Sequence, residues 1–323
     1  MKYDLTSKIA EIGLAAPAVR ALNHTGYVRL SQLAGESNAR IEQLHGMGPN
    51  ALAQIRLALA ACGMALEGES LPVPKSGKYV QVGELKMYCE IHGHGKPLVM
   101  LHGGMLQGGV FSTLVPILAE NRQVITIDQQ AHGRTADIAR PLRFEQMADD
   151  TAALLDKIGI KQADFFGYSE GGIVAMELAI RHPQLVHKMA LGSTVFNLDG
   201  YHGPVKAGMQ SMTAKIVPKR MRLYYQAVAP NPNKWSELVE KSAELARTWK
   251  GIPPKSLKSI RTQTLVFMAD KDYVREEHGA ELAKLLNGEF LVLSKSTHMS
   301  YLFKPNKLLI RIIPFLNASA AKS

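Results

Sequence analysis

The stretch Ala163-Asp164-Phe165-Phe166-Gly167-Tyr168-Ser169-Glu170-Gly171-Gly172-Ile173 decides how this chain is read. Ala163–Phe166 has the length and composition of a buried strand, and Ile173–Ile180 is apolar over a helical length. Between them, three glycines bracket one serine. A turn this sharp leaves no room for Cβ atoms on either side, and it lifts the Ser169 hydroxyl clear of the sheet, facing a helix N-terminus. Gly-x-Ser-x-Gly alone is a weak signal. Its weight comes from the strand before it and the helix after it.

The same rhythm extends in both directions. Tyr79–Val82 and Leu85–Glu90 flank Gly83-Glu84 as a hairpin. Short apolar runs then recur at Leu98–Leu101, Val124–Ile127, Val186–Leu191, Leu265–Met268 and Phe290–Leu293, separated by helix-length segments. That alternation predicts an α/β class, with a mainly parallel sheet covered by helices. One interval breaks the pattern. About seventy residues separate Leu191 from Leu265, too many for a loop, with helical patterning around 205–229 and 234–249. We expect a helical cap over about 196–260.

A serine hydroxyl needs a base to take its proton. Of eleven histidines, His298 is best placed, just after the run Phe290–Leu293. A carboxylate after the preceding strand would orient it, and Asp270 and Asp272 are both available. The order Ser, Asp, His at successive strand ends is a known arrangement for nucleophilic acyl transfer.

Residues 79–317 resemble the α/β-hydrolase superfamily, near its lidded esterase, lactonase and carbon–carbon hydrolase branches. The resemblance rests on His102-Gly103-Gly104, Asp128 with Ala131-His132-Gly133-Arg134-Thr135, the serine elbow, Arg181-His182-Pro183, Asp270-Lys271-Asp272 and His298. It implies a catalytic triad of Ser169, Asp272 and His298, with Asp270 as the alternative acid. It also implies an oxyanion hole made by the backbone N–H groups of Gly104 and Glu170. Two positions depart from the pattern: Glu170 stands where relatives often have Met or Gln, and Ala131 where they commonly have Gly. Glu170 reads first as a helix N-terminal carboxylate, and secondarily as a group near the site that disfavours anions.

Other classes of chemistry find little support. His92, His94 and His102 have no carboxylate or cysteine partner at ligand spacing, so no metal is expected. No Gly-x-x-x-x-Gly-Lys-Ser/Thr loop or dinucleotide fingerprint occurs, and no cofactor is expected. Cys62 and Cys89 are too few for a disulfide framework. No run approaches the ~18 apolar residues of a membrane span, and the N-terminal residues lack a secretion signal. The expectation is a soluble, cytoplasmic protein acting on a small molecule.

The formal charge of +10 is concentrated. Residues 202–261 carry twelve Lys/Arg against Glu237, Glu240 and Glu244, whereas residues 1–76 carry seven basic and six acidic residues. The basic cap reads first as a solvated face and next as an attractor of anionic substrates.

Residues 1–70 have another character and are joined by a Pro/Gly/Lys-rich linker at 71–78. They read as short helices interrupted at Gly13, Gly26, Gly35 and Gly46-Met47-Gly48-Pro49. Leu44–Ile55 matches a helix-hairpin-helix, and residues 1–66 resemble the C-terminal domain of the RNA polymerase α subunit. Such a hairpin can present helix amides to a DNA phosphate. A net charge of +1 offers few neutralised phosphates, so protein docking, dimerisation or lid support is favoured over nucleic-acid contact. The functional expectation is a serine hydrolase cleaving a small ester, thioester or lactone. The alternative is a hydrolase-fold ligand sensor or tethered interaction protein with little turnover.

Overall fold

The computed structural model describes residues 3–71 and 74–318. They form two compact units. One comprises residues 1–73 with 217–235, the other residues 74–216 with 236–323. Residues 72 and 73 of the expected linker lie outside the described residues.

The larger unit is built on one eight-stranded sheet. Its strands are β1 (Gly77–Val82), β2 (Leu85–His92), β3 (Lys96–Leu101), β4 (Arg122–Asp128), β5 (Ala163–Tyr168), β6 (Val186–Gly192), β7 (Gln263–Lys271) and β8 (Glu289–Thr297). Their spatial order is β1-β2-β4-β3-β5-β6-β7-β8. β1 and β2 pair antiparallel through the expected hairpin, with Val82 opposite Leu85, and β2 pairs antiparallel with β4. All other pairs are parallel. Each apolar run singled out in the sequence falls on one of these strands.

Every residue of β5 is buried, so both faces of this strand are covered, as its unbroken apolar character requires. The exception in character is Asp164, fully buried at the start of the strand. Its carboxylate is held by Arg122 Nη1 at 2.7 Å and His187 Nδ1 at 2.6 Å, with Lys96 Nζ at 3.3 Å. A buried charge persists only when answered in this way.

The cap interval is helical in four pieces: Gly203–Gln210, Lys219–Gln226, Trp235–Thr248 and Pro254–Ser259. The broad helical stretch read at 205–229 is therefore interrupted: the first helix ends at Gln210, with Ser211 as its C-cap, and the next begins after Pro218. The cap interval also divides between the two units, since residues 217–235 group with the N-terminal residues.

In that smaller unit, helices Ala16–His24, Leu30–Leu33, Asn38–Glu42 and Pro49–Ala61 surround a core that includes Ile9, Ile12, Leu22, Leu30, Leu33, Ile41, Ile55 and Leu59. Pro49 occupies the first turn of its helix, where its missing N–H costs nothing. Leu223 and Tyr224 pack against this core. A Cβ on Gly35 would come within 2.1 Å of Leu223, and one on Gly63 within 2.6 Å of Tyr224.

Candidate active site

The carboxyl ends of adjacent parallel strands converge on one place, the usual position for a site in such sheets. Ser169 follows β5, Ser193 follows β6, Asp272 follows β7 and His298 follows β8. Ser169 has φ 53° and ψ −120°, a strained backbone for a residue with a side chain. The glycines around it are needed for close approach. A Cβ on Gly167 would stand 2.5 Å from the Gly171 carbonyl oxygen, and one on Gly171 would stand 2.1 Å from that of Leu101. Helix Glu170–Arg181 starts at once after the serine.

His298 and Asp272 are brought together, with Nδ1 and Oδ1 2.6 Å apart. Asp272 Oδ1 also accepts from the amides of Tyr273 and Val274, and Oδ2 from the Ala269 amide and the Ser193 hydroxyl. Burial works to raise the Asp272 pKa. The hydrogen bonds from His298, Ser193 and the Ala269 amide outweigh it and hold the carboxyl below its ordinary value. An ionised Asp272 fixes the proton of a neutral His298 on Nδ1 and leaves Nε2 as an acceptor. The imidazole is stacked on Tyr273, with ring centroids 4.5 Å apart, and lies 5.3 Å from the Tyr168 ring.

Asp270 is placed elsewhere. It is exposed and accepts from the Lys295 and Ser296 amides at 2.7 and 2.8 Å, tying the end of β7 to β8.

The loop His102-Gly103-Gly104 flanks the serine, since a Cβ on Gly103 would lie 3.0 Å from Ser169 Cβ. His102 accepts from the Gln129 amide through Nε2 and therefore donates from Nδ1 to the Gly103 carbonyl. Burial pushes its pKa down to about 3, which keeps it neutral. Among the described residues, the amides of Gly104 and Glu170 donate to no acceptor.

Glu170 is the acidic residue in the first turn of its helix, as the sequence suggested. Its carboxyl lies against Gly104, where a Cβ would come within 2.4 Å of Oε1. Burial alone pushes its pKa up to about 7.

Several residues of the site were not found by sequence reasoning. The Tyr301 hydroxyl donates to Ser193 Oγ at 2.6 Å, and Ser193 in turn donates to Asp272. The Tyr201 phenol is buried near Ser169; burial and the nearby Glu170 carboxyl raise its pKa. The loop carrying Tyr201 is fixed to the Asp272 loop by bonds from His202 N to the Tyr273 carbonyl and from Arg275 N to that of Gly200. One signal was available: Gly192-Ser193 ends a parallel strand, where functional groups collect.

Beside these residues a small, partly open pocket is lined by Phe144, Ile173, Leu198, Leu245 and Trp249, with Glu170 and Tyr201 as its polar members.

The comparisons agree with this architecture. A family model for the alpha/beta hydrolase fold matches residues 96–237. A pimeloyl-acyl-carrier-protein methyl ester esterase of Nitrosospira multiformis is 24% identical over 269 residues, 72% of this chain and 99% of that protein. A 2-hydroxymuconate semialdehyde hydrolase of a Pseudomonas species is 30% identical over 145 residues, 43% of this chain and 49% of that protein. The chain spans about half the length or less of several other curated relatives, 46% and 41% in two of them. Among solved structures, Est816, described as an N-acyl homoserine lactone degrading enzyme, has a TM-score of 0.61 at 24% identity, covering 74% of this chain and 100% of that one. The enol-lactonase from Burkholderia xenovorans has a TM-score of 0.62 at 18% identity, covering 75% and 100%. The chain has the alpha/beta hydrolase fold, with esterase and lactonase structures among its neighbours. Among the described residues, no helix is long and apolar enough to cross a membrane.

Proposed function

We propose that this chain is a serine hydrolase that cleaves a small ester, thioester or lactone through an acyl-enzyme. The observation that carries the reading is the His298–Asp272 hydrogen bond at the ends of β8 and β7, beside Ser169 on its strained elbow. Ser169 Oγ attacks the carbonyl carbon while its proton passes to His298 Nε2. The oxygen develops negative charge against the free amides of Gly104 and Glu170. Collapse breaks the bond to the leaving oxygen or sulfur, which takes the proton from His298. Water, deprotonated by the same imidazole, then releases the acid and restores Ser169.

Labelling by a fluorophosphonate probe, read by intact mass, tests it. Stoichiometric labelling of the wild type and none of Ser169→Ala is expected. No labelling of a folded wild type would count against an assembled triad and move the ligand-sensor reading to the front.

We also propose that the N-terminal helices support the cap. The packing of Leu223 and Tyr224 on their core favours this reading, and the near-zero charge of residues 1–76 disfavours DNA as the partner of the helix-hairpin-helix. Removal of residues 1–71 is expected to abolish hydrogen-exchange protection in 217–235. Retained protection there would refute cap support.

A further inference from the structure

The proposed reaction leaves the Glu170 carboxyl of the site unused. The reaction takes its backbone amide, and the side chain has no assigned task. The carboxyl belongs to the residue next to the nucleophile, and its oxygens lie against Gly104, on the Gly103-Gly104 side of Ser169. Among the described residues no hydrogen bond or ion pair reaches it, and no cationic side chain offsets its burial. Other carboxylates of the large unit, such as Asp149, Asp150 and Asp164, are answered by arginine. The rest of the cavity wall is apolar except for the Tyr201 phenol.

An unanswered carboxylate facing a small apolar cavity is costly to ionise, and the cost disappears when a cation enters. The nearest substrate atoms to such a group are those on the carbons adjoining the scissile carbonyl. We propose that Glu170 selects acyl groups bearing a protonated amine on a carbon next to the reacting carbonyl, and rejects acyl groups bearing a carboxylate there. This rests on the serine-hydrolase reading and adds the acyl class to it. It also reverses the simplest expectation from the basic cap, because selection would be set by a carboxyl that adjoins the reacting centre rather than by the distant cap charges. The ammonium would take Glu170 as its partner, while the alkyl remainder lies against Phe144, Leu198 and Trp249.

The test compares three benzyl esters of similar size, those of alanine, propionic acid and the malonic half-acid, on the full chain and on Glu170→Gln at pH 7.5, where the amine is still largely protonated. The readout is the ratio of kcat/KM values, since the rates themselves also report on the oxyanion amide. The wild type is expected to favour the alanine ester over the propionate by at least about ten-fold, the scale of one charge-assisted hydrogen bond. It should discriminate more strongly still against the malonate half-ester. In Glu170→Gln the alanine-to-propionate ratio should fall to within about two-fold, for want of the charge. A ratio near one in the wild type, or one unchanged in the variant, overturns the proposal. Fluorophosphonate labelling in parallel separates the two levels. Labelled protein without amine preference rejects the acyl class alone, whereas unlabelled protein without turnover rejects the hydrolase reading and this inference with it.

Discussion

The Ser193 hydroxyl donates to Asp272 Oδ2 at 2.5 Å while accepting from the Tyr301 hydroxyl at 2.6 Å. Asp272 is thereby clamped from the side opposite His298, and both donors are buried. Loss of this bond leaves the carboxylate free to rotate away from the imidazole. Ser193→Ala should lower the rate of Ser169 labelling by roughly five- to ten-fold, the equivalent of one net hydrogen bond. Tyr301→Phe, one bond further out, should cost less. Labelling rates under pseudo-first-order conditions measure both, and equal losses in the two variants would argue against a graded chain.

The two aspartates of Asp270-Lys271-Asp272 should separate cleanly. Asp272→Asn removes the charge that orients and stabilises the imidazolium, and a drop in kcat of about 10^3–10^4 is expected from comparable changes. Asp270 accepts only the Lys295 and Ser296 amides. Asp270→Asn should therefore retain most activity and lower the melting temperature instead. Activity and melting curves on the two purified variants give the comparison, and a large kcat loss in Asp270→Asn would reassign the acid.

Much of this was legible from the chain itself, for reasons that differ by element. Each strand of the sheet is an apolar run bounded by turns, so β3 to β8 could be located, though their ends extend a few residues beyond the apolar cores. The elbow was legible because close backbone approach admits only glycine at Gly167 and Gly171. Ser193, Tyr201 and Tyr301 were not, because common residues acquire a role only when distant segments meet. The Glu170 side chain was legible as a carboxylate in the first turn of its helix, but its approach to Gly104 was not. The division of the cap was hidden as well, since Leu223 and Tyr224 reveal their partners only through a core some 160–200 residues away in sequence.

Ala131, which stands where the resemblance would put glycine, has φ 66° and is buried. An L-residue in this left-handed region is strained by roughly 1–2 kcal/mol, and glycine gives back part of that gain through its larger entropy loss on folding. Ala131→Gly should raise stability by about 0.5–1 kcal/mol in urea unfolding, the remainder after those opposing terms. Ester turnover should be unchanged. A destabilised variant would mean that the Ala131 methyl contributes packing larger than the strain.

Glu177 should give the protein a pH-dependent weakness. It sits on the nucleophile helix, buried, and burial with the neighbouring Glu145 charge pushes its pKa from an ordinary 4.5 up to about 7, with Arg181 opposing. The folded state therefore holds a proton that the unfolded chain releases near pH 4.5. Stability contributed by that proton is complete below about pH 4.5, declines as pH rises, and is gone above about pH 7. A shift of this size corresponds to roughly 3.4 kcal/mol. Glu177→Gln removes the titration while keeping the shape. The variant should be more stable than the wild type by up to that amount at pH 8, with the advantage shrinking to nothing near pH 4. Urea unfolding of both proteins at four or five pH values between 4 and 8 measures the difference, and a pH-independent offset would assign the effect to packing rather than to ionisation.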